Sequence, residues 1–210
     1  MLKIGLTGGI ASGKSAVGEM FVKLGAHLIQ SDLVARDLMQ IGDEVYSEVV
    51  RQFGQGILNS DGSINRSHLA EAAFGTAANA APRIKELNAI VHPAVIAKEN
   101  EMMRELERRD PDGVVVVEAA LILESGAADR FDHLIVVTCH PEQRIIRYAR
   151  RHGISEEAAR AEVTRRMAAQ IPDEQKIQAA DFVIDNSGSL EATERQVQRV
   201  FTALRPQPSA

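Results

Sequence analysis

The chain has 210 residues, 45% of them hydrophobic and 25% charged, enough for one sizeable core and a small appended lobe. A formal net charge of −5 excludes a global basic field for nucleic acid or an anionic membrane, and a single cysteine, Cys139, excludes an internal disulfide framework. The N-terminal apolar run is ended at once by glycine and no run approaches transmembrane length, so the expected setting is cytoplasmic, with no membrane, nucleic-acid or obligate protein partner.

In chain order, "LKIGLT" (2–7) reads as a buried strand, followed by a helix over 14–24 that stops at Gly25. "HLIQS" (27–31) is a weaker strand, and helical patterns follow at 33–40, 44–53, 66–74 and 83–108. Pro82, Pro93 and the turn "NSDGS" (59–63) are expected to divide this stretch. "VVVVE" (114–118) and "HLIVVT" (133–138) are β-branched runs of the kind buried inside parallel sheets. Helices are then expected over 141–151 and 155–169, a last strand over 181–185 and a last helix over 189–204. Strands alternating with helices predict a parallel α/β sheet covered on both faces. About 80 residues separate the second and third strands, far beyond the ~10–12 a crossover needs, so this helical insertion is expected to carry specificity. The final 205–210 reads as a frayed tail.

One motif carries chemistry directly. Gly8, Gly13, Lys14 and Ser15 satisfy G-x-x-x-x-G-K-(S/T) between a strand and a helix. Such glycines let consecutive backbone N–H groups turn toward phosphate oxygens, and the following helix presents its positive end to them. A lysine adds a mobile charge for the outer phosphates, and the serine hydroxyl suits Mg²⁺. No guanine-binding N-K-x-D occurs, which weighs against a GTPase. Asp32 follows the second strand at the end where open α/β sheets bind ligands, and Arg36 lies one helical turn further on. A carboxylate there could take a proton from an attacking hydroxyl while the arginine holds an anionic acceptor. The same pair could equally cap a helix and bridge on the surface.

At this point the chain resembles the dephospho-coenzyme A kinase family, P-loop kinases related to nucleoside monophosphate kinases. The match is nearly end to end, through "IGLTGGIASGKS", "SDLVAR", "DGSINRSHLAEAAF", "IVHPAV", "ALILE" and "AAQIPDEQKIQAADFVIDNSG". The resemblance implies a three-layer fold with a five-stranded parallel sheet in a single domain, 1–204. Its core is 1–40, 113–143 and 179–204, its substrate-binding insertion 41–112 and its lid 144–178. It also implies transfer of the ATP γ-phosphoryl group, with Mg²⁺, to the ribose 3′-hydroxyl of dephospho-CoA. Carried over residue by residue, Asp32, Lys14 and Arg147 take catalytic roles. Gly8, Gly9, Ala11, Ser12, Gly13, Lys14, Ser15, Ala16, Arg151, Asn186 and Gly188 hold ATP, with Ser15 on the metal side. Asp32, Arg36, His92, Leu121 and Glu124 face the acceptor.

The segment 143–170 is rich in arginine, and Arg147 and Arg151 correspond to arginines that close a lid over phosphates. Arg144, Arg150, Arg160 and Arg165 read instead as a solvated helical face. Cys139 reads as packing. Two positions depart from the family pattern: Gln30 stands where an aspartate is frequent, and Ala120 where proline is usual. The first leaves Ser15, phosphate oxygens, water and Glu118 or Glu124 to order the metal. A kinase for another small acceptor, or a nucleotide-binding protein without turnover, would share the loop.

Overall fold

The computed structural model describes residues 1–74 and 83–204; Pro82 and the tail at 205–210 lie outside them. In chain order the elements are β1 (Leu2–Gly8), α1 (Lys14–Lys23), β2 (His27–Gln30), α2 (Ser31–Leu38), α3 (Glu44–Phe53), α4 (Arg66–Phe74) and α5 (Ile84–Arg109). They continue with β3 (Val114–Glu118), β4 (His133–Thr138), α6 (Pro141–His152), α7 (Glu156–Ala168), α8 (Asp173–Ala179), β5 (Phe182–Asp185) and α9 (Leu190–Leu204).

The strands form one parallel sheet in the order β2-β3-β1-β4-β5. Val114 through Val117 of β3 are buried one after another, as are the middle residues of β1 and β4, so both faces of the sheet are covered. Such strands show no polar alternation because neither face meets water. The register sets Leu6 opposite Glu118 and Gly8 opposite Val137, so β1 and β3 end close to the same level. Against the sheet, α1 and α9 share a core in which Val17, Phe21, Val197 and Phe201 are buried, with the Phe21 and Phe201 rings 6.1 Å apart. A second apolar cluster joins α6 to α7 through Ile145, Tyr148, Ala149, Ala159 and Val163. The turn between these helices uses Gly153 in left-handed conformation, and the Ser155 hydroxyl accepts from the Ala158 N–H to start α7.

The residues group into two compact units, 1–29 with 105–210, and 30–104. The second takes in Gln30, Asp32 and Arg36, which the expected boundary at 41 left with the core; α2 packs on α3 and goes with it. Two expectations are corrected. Pro93 does not divide the insertion, because α5 runs through it as one 26-residue helix. Proline removes one i→i−4 bond, and the apolar anchors Val91, Val95 and Met103 on the same helix outweigh that loss. The segment before β5 contains α8, which was not anticipated. Its start signal is short: Pro172 followed by Asp173 and Glu174 in the first turn. No helix among the described residues is long and apolar enough to cross a membrane.

Phe201 is 6% exposed at the α1–α9 contact. Phe201→Ala is expected to cost ~3–5 kcal/mol of unfolding free energy, read as a lowered urea midpoint at unchanged m-value.

Candidate active site

The loop between β1 and α1 is shaped by its own backbone. Gly13 sits at φ 96°, where a side chain is strained, and a Cβ there would overlap the Asn186 amide. Ala11 also takes a positive φ of 55°. The turn is closed by the Ser12 N–H donating to the Gly9 carbonyl at 3.2 Å. No side chain caps α1, so the N–H groups of its first turn keep the helix's partial positive charge for an anion. The Lys14 ammonium donates to the Gly8 and Gly9 carbonyls at 3.0 and 3.2 Å, which arches the lysine over the loop.

Two side chains from outside hold the loop. The Asn186 amide donates to the Ser12 carbonyl at 2.8 Å, and its own oxygen accepts from the Thr193 hydroxyl at 3.0 Å. Arg147 donates to the same Ser12 carbonyl at 3.2 Å and to the Asn186 carbonyl at 2.8 Å. Asn186, expected to hold ATP, and Arg147, expected to close over the phosphates, are thus both engaged on the loop itself. Gly188 is exposed, and a Cβ there would make only an ordinary contact with Ala192. Arg151 and Ala16 are exposed, and Leu121 is half-buried beyond β3.

At the start of α1 the Ser15 hydroxyl donates to Glu118 Oε1 at 2.7 Å. A hydroxyl and a carboxylate within one hydrogen bond are hard oxygen donors of the kind Mg²⁺ prefers. Among the described residues no group of three or more His, Cys, Asp or Glu side chains comes together as a complete metal cage. That is compatible with an ion bound through one or two protein oxygens plus phosphates and water.

Glu124 takes part in an unanticipated pairing. Lys176 of α8 is fully buried, and its ammonium lies 2.9 Å from Glu124 Oε1 and 3.2 Å from Gln170 Oε1. The Ile171 N–H donates to the same Glu124 oxygen at 3.0 Å. Arg144 corrects the expectation of a solvated face: it is 1% exposed and paired with Asp173 of α8. Its place on α6, beside buried Ile145 and Tyr148, decides this. Arg160 and Arg165 pair at the surface with Glu142 and Glu162, as a solvated face requires.

The remaining expected residues belong to the unit 30–104. Asp32 is the second residue of α2, two beyond the end of β2. It does not cap the helix, and neither Asp32 nor Arg36, both exposed, forms an ion pair with the other. At the start of the same helix the Ser31 hydroxyl donates to Glu99, which is 2% exposed. His92, half-buried on α5, has its imidazole pushed below the ordinary 6.5 by burial, with the Glu99 charge opposing.

A glycine-lysine-serine loop between the first strand and first helix of a five-stranded parallel sheet, with flanking arginines, defines a P-loop kinase, an ATP-dependent phosphotransferase. The family model for dephospho-CoA kinase matches residues 2–192. A dephospho-CoA kinase of Corynebacterium jeikeium is 41% identical over 205 residues, 97% of this chain and 100% of that protein. Among solved structures, one from Thermus thermophilus aligns with a TM-score of 0.76 at 32% identity, over 98% of each chain. A dephospho-CoA kinase from Campylobacter jejuni aligns with a TM-score of 0.66 at 26% identity, over 97% of this chain and 96% of that one. The chain belongs to the dephospho-CoA kinase family.

Lys176→Met leaves the half-buried Glu124 carboxylate without its cation and is expected to cost up to ~3 kcal/mol in denaturant unfolding, largely recovered in Lys176→Met/Glu124→Gln. Because the folded pKa of His92 is depressed, acid favours the unfolded form, and its stabilising neutrality is lost as pH falls below the unfolded value. An NMR titration of the His92 ring is expected to give a midpoint under 6.5; a midpoint at or above it contradicts the desolvated environment.

Proposed function

We propose that this kinase transfers the γ-phosphoryl group of ATP to the ribose 3′-hydroxyl of dephospho-CoA, yielding CoA and ADP. The observation that carries the reading is the end-to-end match to dephospho-CoA kinases together with Asp32, an exposed carboxylate just beyond β2 that forms no ion pair among the described residues. Asp32 accepts the proton of the attacking hydroxyl, and Arg36, one turn on, steadies an anionic part of the acceptor. The resemblance assigns His92 and Leu121 to the acceptor, and Glu124 acts on it through the loop it anchors to Lys176.

The loop N–H groups and Lys14 hold the β- and γ-phosphates, and Arg147 and Arg151 neutralise charge that spreads over the transferred group. Ser15 and Glu118 are the residues that would hold Mg²⁺. Held there, such an ion would supply positive charge to offset that developing on the phosphates. Gln30, in place of a frequent aspartate, leaves this task to the hydroxyl–carboxylate pair. A kinase of this type works in solution, and the expected compartment is the cytoplasm.

The test is a coupled assay of ADP release across an acceptor panel of dephospho-CoA, nucleosides, nucleoside monophosphates and sugars. Dephospho-CoA alone is expected to stimulate turnover. Asp32→Asn is expected to lower kcat about 10²–10⁴-fold with ATP affinity unchanged. Turnover on a different acceptor would reassign the substrate, and full activity of the variant would remove Asp32 as the base.

A further inference from the structure

Arg144 and Asp173 stand outside every role assigned above, yet they close on the phosphate loop. Arg144 is 1% exposed, and its Nη2 donates to Asp173 Oδ2 and, at 3.5 Å, to the Cys139 carbonyl. Its Nε and Nη1 are buried with no acceptor among the described residues. The Nη1 end lies against the bare Cα of Gly9: a Cβ on Gly9 would overlap Nη1 and stand 3.2 Å from Asp173 Oδ1. The guanidinium cannot swing aside as an exposed arginine would, because it is enclosed and ion-paired. Gly9, unlike Gly8 and Gly13, lies outside the positive-φ region, so its backbone accepts a side chain and only this contact forbids one.

Three residues along the same helix, Arg147 grips the Ser12 carbonyl. Residues three apart share a helix face, so one face of α6 meets both ends of the turn Gly9–Ser12. Buried donors left without an acceptor are costly, and nothing in the packing of α6 alone requires an arginine at 144. We infer that Arg144, held by Asp173, is a positioning residue that fixes the Gly9 end of the loop for nucleotide phosphates and ties that end to α8. This rests on the reading that the loop holds those phosphates.

The experiment measures Mg-ATP and Mg-ADP affinity by calorimetry, steady-state KM and kcat, and thermal midpoint. The proteins are wild type, Gly9→Ala, Arg144→Ala, the double Gly9→Ala/Arg144→Ala and the neutral pair Arg144→Met/Asp173→Asn. Each single variant is expected to raise the nucleotide Kd and KM for ATP about tenfold, with KM for the acceptor unchanged. In the double variant Gly9→Ala adds less than twofold to Arg144→Ala, since the atom it strikes is gone. The neutral pair keeps the fold, having no unmatched buried charge, yet shows the same raised Kd. Additive effects of Gly9→Ala and Arg144→Ala, or wild-type nucleotide affinity in a folded Arg144 variant, overturn the inference. Unfolding of both Arg144→Ala and the neutral pair assigns the residues to stability alone and also overturns it. Absence of nucleotide binding by the wild type refutes the underlying reading instead.

Discussion

The Ser12 carbonyl is the point on which the phosphate loop turns. Of the loop's side chains only Ile10 and Ala11 pack on the apolar cluster of α6 and α7, and a phosphate-binding loop directs backbone N–H groups at its ligand. Its outward carbonyls therefore have to do the anchoring. Ser12 accepts from both Asn186 and Arg147, while Gly8 and Gly9 accept from Lys14. The loop's carbonyls at Gly8, Gly9 and Ser12 are thus satisfied by the protein itself, Gly9 also accepting from the Ser12 N–H. Thr193 on α9 fixes Asn186 in turn, so the order in the loop is inherited from the end of the sheet and the last helix.

A second layer of order comes from charge buried in matched pairs. Lys176 with Glu124 and Arg144 with Asp173 clamp α8 from two directions, one toward the loop after β3 and one toward α6. Of these charges Lys176 and Arg144 are buried and Glu124 and Asp173 half-buried, and burying a charge is offset only when it meets its opposite at short range with further hydrogen bonds. Glu124 meets that condition through Lys176 and the Ile171 N–H. Such pairs are sensitive to geometry, so a seven-residue helix of modest intrinsic stability is held in one place.

Much of this was readable before any coordinates. The strands announced themselves because β-branched runs buried on both faces have no other soluble use, and the loop because glycine spacing before Lys14 has a mechanical reason. What was not readable has a common cause. Arg144 looks like any arginine in an Arg/Glu-rich segment until α6 is rotated against α7 and its neighbours Ile145 and Tyr148 are seen to be buried. Lys176 was visible inside a motif, but nothing in one dimension says that its partner is Glu124, 52 residues earlier. Pro93 misled because a local rule about backbone geometry was outweighed by anchors spread along 26 residues.

The order of the sheet carries a consequence for how the chain is made. β1, at its centre, pairs with β3 and β4, and its nearest-in-sequence partner begins at Val114. At ~5–20 residues per second of synthesis, on the order of ten seconds pass between the emergence of the first strand and that of the residues that flank it. Through that interval Ile4 and Leu6, both wholly buried in the finished protein, have no sheet to enter. The strand that ends in the phosphate loop is thus made well before either of its partners, and its two glycines limit how far it can pair wrongly while it waits.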